Sequence, residues 1–216
     1  MQQFCRRADW LDSFGYRAFF FTTIHTGNCN FPLYLRTINM PSTKQACDAL
    51  VRRVGYDPGR TKEVARALTE ADMLPSGSPG VSPQLTPQDV ATLMLGVALD
   101  VPLRAVADTV SEYRALRREG VPVGAPASIS VTAGEALDII AEIAATGSLD
   151  ARALVAKTII AVVSNWQEIA LTDTIDVRRF SAGEPGRWQA YGHRKSVEIN
   201  GGAFATVIAE LFSGER

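Results

Sequence analysis

Apolar positions return along this chain at two different spacings, and the change between them sets the expected architecture. From residue 43 to about 118 they recur every three or four residues, the period of a helix with one buried face. Thr43 to Val54 puts Ala46, Leu50, Val51 and Val54 on one side and Lys44, Asp48, Arg52 and Arg53 mostly on the other, and Gly55 ends it. Tyr56-Asp57-Pro58-Gly59 is a turn in which Asp57 can accept backbone N–H bonds and Pro58 suits the first helical position. A second helix is therefore expected from about Gly59 or Arg60 to Met73-Leu74. Val64, Leu68 and Ala71 form its apolar face, with Lys62, Arg66 and Thr69 on another. Pro75 and a stretch holding Ser76, Gly77, Ser78, Pro79, Gly80 and Ser82 then break it. Thr86-Pro87-Gln88-Asp89 caps a third helix that buries Val90, Leu93 and Val97. Asp100 is expected to cap a fourth, running to about Arg118 with Leu103, Val106, Val110 and Tyr113 as its stripe. Arg114, Arg117 and Arg118 fall in its last turn, where cations favour the helix dipole.

Gly120-Val121-Pro122-Val123-Gly124-Ala125-Pro126-Ala127 interrupts the helical pattern and reads as a linker, set at 120–131. Thr132 then caps a helix through about Ala145, with Ala136, Leu137, Ile140 and Ile143 buried, and a short helix is expected from Leu149. After that the spacing shortens. Thr158 to Val163 is β-branched, Glu168 to Ile175 alternates, and Trp188 to Ile199 reads as strand after a turn at Gly183-Glu184-Pro185-Gly186. Asn200-Gly201-Gly202 leads into a last helix, Ala203 to Phe212, with Phe204, Val207, Ile208 and Leu211 on its apolar face. The expected fold class is α+β: a helical domain over 40–119, the linker, and a domain over 132–216 with a short antiparallel sheet.

Composition alters this picture at one end. Residues 1–39 hold nine of the seventeen aromatic residues and no Val, Glu or Lys, unlike everything after them. Met40 is followed by Pro41 and two capping residues, Ser42 and Thr43, and is expected to be the true start, with 1–39 as translated upstream sequence. Arg17 to Ile24 is too short and too polar at its flanks to span a bilayer, and no convincing export signal follows it. The 46% apolar and 21% charged content is that of a folded globular chain. Cysteines at 5, 29 and 47 make no CxxC pair, which suits a reducing cytoplasm, the expected location, without a disulfide framework or metal site.

The net charge of −1 excludes a whole-molecule attraction to phosphate, so a nucleic-acid surface must come from local clusters of Lys and Arg. No nucleotide loop, zinc-protease motif or EF-hand pattern occurs, and neither a catalytic residue nor a cofactor is expected. A small enzyme using His193 with Cys47 or a serine is the weakest alternative. Tyr56-Asp57-Pro58-Gly59-Arg60-Thr61, then Ala71-Asp72-Met73-Leu74-Pro75, then Leu85-Thr86-Pro87-Gln88-Asp89-Val90 resembles the winged-helix domain of MerR-type regulators. The run is still more similar to the small N-terminal domain of uncharacterised prophage-type DNA-binding proteins of proteobacteria.

That resemblance covers about residues 43–112 and implies a winged helix-turn-helix, with the helix over 60–73 lying in the major groove and the next loop as the wing. It implies that Arg60, Thr61, Lys62 and Arg66 contact DNA; Arg52 and Arg53, at the end of the preceding helix, complete the candidate set. The expected function is a phage- or prophage-type transcriptional regulator that binds specific double-stranded DNA as a homo-oligomer, with no membrane partner. One alternative is the DNA-recognition small subunit of a packaging terminase. Another is a protein-interaction module, favoured by the absence of charge over Gly77 to Gln84 and the −3 balance of Met40 to Arg216. Arg178, Arg179, Arg187, Arg194 and Lys195 could form a second basic surface, unless strand alternation splits them between faces.

Overall fold

A computed structural model describes residues 40–77, 82–118, 131–182 and 192–213. The expectations for 1–39, for the turn at 183–186, for Trp188 and Arg187, and for most of 120–131 lie outside these residues. The described chain is α+β, with helices α1 (Thr43–Val54), α2 (Pro58–Glu70), α3 (Pro87–Ala98), α4 (Val106–Arg114), α5 (Ala133–Thr146), α6 (Leu149–Ala156) and α7 (Gly201–Phe212). Five strands accompany them: β1 (Arg117–Arg118), β2 (Ile159–Val163), β3 (Glu168–Thr172), β4 (Val177–Ser181) and β5 (Ser196–Asn200).

Three helices start in reciprocal capping boxes. Ser42 accepts from the Gln45 N–H while Gln45 Oε1 accepts from the Ser42 N–H, and Thr86 with Asp89 and Thr132 with Glu135 repeat the pattern. Asp57 caps α2 through the Arg60 N–H at 2.7 Å. Asp100 does not cap a helix. It sits at φ 50 just past α3, donating its N–H to Val97 O, and a 3-10 turn over Leu103–Ala105 separates it from α4. Pro102 accounts for the gap, because it disfavours helical backbone at the preceding Val101 and is itself extended, at φ −53 and ψ 140. The expected run to Arg118 stops at Arg114, since Arg117 and Arg118 pair with Ser181 and Phe180 as strand β1.

The sheet is antiparallel throughout, in the order β1-β4-β3-β2-β5. Register aligns Phe180, Ile169, Val162 and Val197 in one row and Leu171, Ile160 and Ile199 in another, on the face that joins the helical core. That core draws Leu50, Leu68 and Leu93 from before residue 119 and Leu137, Phe204 and Ile208 from after 130. α1 packs on α7 and α3 on α5, and the described residues fall in one compact unit. The described residues on either side of 119–130 meet: Ala133 N–H bonds to Leu116 O at 2.8 Å and Arg117 bridges Thr132. The expected helical and α+β regions therefore share one core. A Pro- and Gly-rich composition fits an interdomain linker and a loop with anchored ends equally well. No helix among the described residues is long and apolar enough to cross a membrane.

Candidate nucleic-acid interface

Helices α1 and α2 are joined through Gly55, Tyr56 and Asp57, with Gly55 in the left-handed region at φ 86. α2 turns Val64, Ala65 and Leu68 into the core and leaves Lys62, Glu63, Arg66 and Glu70 exposed. The structure divides the six candidate contacts unequally. Thr61 is fully buried, its Oγ1 donating to Asp57 O at 2.7 Å, and is corrected from a base or phosphate contact to a helix-start residue. Arg60 is half-buried and donates to Val101 O, binding α2 to the chain ahead of the 3-10 turn. Arg52 and Arg53 both donate to the carboxylate of Glu210 on α7. Lys62 and Arg66 remain on the solvent face of α2, one turn apart. Arg66 Nε donates to Glu70 at 2.7 Å, and that bond raises the guanidinium pKa further.

The loop between α2 and α3 was expected as a wing. Among its described residues there is no two-stranded hairpin. Leu74 and Leu85 are buried, Leu85 N–H bonds to Pro41 O at 2.9 Å, and Gln84 makes a single antiparallel bridge with Ser42. The loop base is thus tied to the start of α1.

The second basic cluster is split, as alternation allows. Arg178 lies opposite Leu171 on the core side and pairs with Asp173 at 3.7 Å, while Arg179 lies opposite Ala170 on the other face. Arg194 pairs with Glu168 at 3.2 Å and Lys195 with Asp100 at 3.7 Å. Glu168 is buried yet satisfied, receiving the Trp166 indole N–H at 2.8 Å as well. Asp173 is held below its ordinary pKa first by the Ile175 N–H, then by the Asp176 N–H and Arg178.

Cys47 is buried, and that burial pushes its thiol up to about 11, with Asp48 adding to the effect and Lys62 opposing it. Such a thiol is a poor nucleophile near neutral pH. His193 is exposed, and its backbone carbonyl accepts from Asn165. No group of three or more His, Cys, Asp or Glu among the described residues could hold a metal ion. Glu210 is the residue of this region that sequence reading missed; it lies 157 positions from Arg53, and nothing local to either marks the pairing. No family model matches this chain, and comparisons with curated proteins and with solved structures find no match.

Proposed function

We propose that the chain binds double-stranded DNA through a winged helix-turn-helix, with the solvent face of α2 entering a major groove. The observation that carries this reading is the free face of α2. After a three-residue turn from α1 it stays open from Gly59 to Glu70 while the opposite face is locked in the core. Thirteen residues rise about 20 Å at helical pitch, a length the major groove admits. Lys62 and Arg66 supply the phosphate or base contacts. Arg60 and Thr61 set the position of α2, and the segment between α2 and α3, its base tied to Pro41 and Ser42, is assigned the role of the wing. The role is a phage-type transcriptional regulator or the recognition subunit of a packaging machine, and a homo-oligomer sets the spacing of half-sites.

Fluorescence anisotropy of the full chain with mixed-sequence duplex over a salt series tests this. Affinity is expected to fall steeply with salt. Lys62→Ala with Arg66→Ala should weaken binding and flatten the dependence of log K on log salt by about two at most, with Tm unchanged. No binding at low salt overturns the proposal.

One observation favours a protein-interaction module instead. Glu63 and Glu70 share the face with Lys62 and Arg66, so it carries no net positive field toward a polyanion. A mixed-charge face of this kind suits a complementary protein surface, and absent DNA binding would leave this as the standing reading.

A further inference from the structure

The ends of α1 and α7 meet through three charged side chains. Arg53 Nε donates to Glu210 Oε2 at 3.0 Å, and an η nitrogen of Arg52 donates to Oε1 of the same carboxylate. Neighbouring helical residues point about 100° apart, so these two guanidiniums converge only because α7 places an anion between them. The group lies at the surface, with the Arg52, Arg53 and Glu210 side chains 54%, 49% and 32% exposed. Exposed ion pairs contribute little to stability. Nor do α1 and α7 need this one to stay together, because Ala46 and Leu50 on α1 and Val207 and Leu211 on α7 are buried in the common core. What the pair has is geometry: two arginines presenting donors to the two oxygens of one anion, as they would to a phosphate.

We propose that Glu210 is an internal stand-in for a DNA backbone phosphate, an autoinhibitory contact that masks the Arg52–Arg53 pair until duplex DNA displaces it. The inference rests on the DNA-binding reading above. α1 ends at Val54, directly before the turn into α2, so the pair sits where the first helix of a helix-turn-helix crosses the phosphate backbone. Asp48, one turn earlier on α1, lines the same surface depression as Arg52 and Glu210 and adds to the negative charge that a phosphate must overcome.

The test uses the full chain with mixed-sequence duplex DNA, read by anisotropy over a salt series, with Tm measured for every variant. Glu210→Gln keeps the shape and removes the charge. It should bind about tenfold or more tightly at low salt, the worth of a freed charge-assisted contact. Its log–log salt slope should steepen by up to about two. Combining Glu210→Gln with Arg52→Gln and Arg53→Gln should abolish that gain and reverse the steepening of the slope. Equal affinity and slope for wild type and Glu210→Gln overturns the masking while leaving DNA binding intact. A gain that persists in the triple variant also overturns it, since the freed contacts would then not be those of the arginine pair. No binding by wild type or Glu210→Gln at low salt overturns both proposals.

Discussion

Gly55 and Asp72 close α1 and α2 with left-handed backbone, at φ 86 and φ 57, and only one of them is glycine. A Cβ in that region crowds the following carbonyl oxygen. Gly55→Ala meets no atom within 4 Å, so its cost is backbone strain alone, about 1 kcal/mol. Asp72→Gly relieves the same strain and should stabilise by about 0.5 kcal/mol, part of the gain being offset by the greater freedom of glycine in the unfolded chain. Urea unfolding of the pair reads both signs; two losses would deny that backbone strain decides either site. Gly55 was legible in the sequence as a helix end, whereas Asp72 and Asp100 were not, because Asp begins helices as readily as it tolerates this geometry. Cys47 gives a pH test at the same scale. Its folded pKa is about 11 against an ordinary value near 9, so its contribution is complete below pH 9 and is lost as pH rises through 11. Stability of Cys47→Ala should therefore fall less than that of the wild type between pH 9 and 11.

Among the elements, those with local signals matched the sequence reading, β2, β3 and β5 included, while β1 and β4 were not expected as strands. Ser42, Asp57, Thr86 and Thr132 cap helices where their side chains and spacing indicated. β4 gives no such signal: in Val177-Arg178-Arg179-Phe180-Ser181 only Phe180 is buried, so no alternation marks a strand. β1 is made by its pairing with β4, far along the chain. Tyr113 was legible as a buried stripe residue, but not its hydroxyl, which shares a proton between Val163 O at 2.6 Å and Trp166 O at 3.1 Å. That hydroxyl fastens α4 to the turn between β2 and β3, and Gln167 donating to Glu112 fastens it again. Tyr113→Phe leaves a buried carbonyl short of its donor and should cost about 1–2 kcal/mol. Amide exchange should accelerate around residues 164–167 while α1 and α2 keep their protection; uniform acceleration would mean the contact supports the whole fold rather than this turn.

Across the whole molecule, the candidate site was legible in part because exposure depends on partners far along the chain. Lys62 and Arg66 stay on the surface, while Arg52, Arg53 and Arg60 are engaged by Glu210 and Val101, which no local pattern connects to them. The same long-range pairing governs how the protein should unfold. Arg114 donates to Thr92 on α3 at 3.1 Å and to Asp138 on α5 at 2.7 Å, joining elements from both sides of residues 119–130. The closeness is marked by Gly134, where an added Cβ would stand 3.0 Å from Arg114 O. A fragment ending before residue 120 would expose the faces of α1 and α3 that α7 and α5 cover. Two independent domains would melt in two steps, and either half would fold when produced alone. With one core, tryptophan fluorescence and far-UV circular dichroism should instead report a single coincident urea transition, and residues 40–119 alone should show no cooperative melting. A sharp thermal transition in that fragment would restore the boundary, because a self-sufficient helical unit could not depend on α5 and α7 for its core.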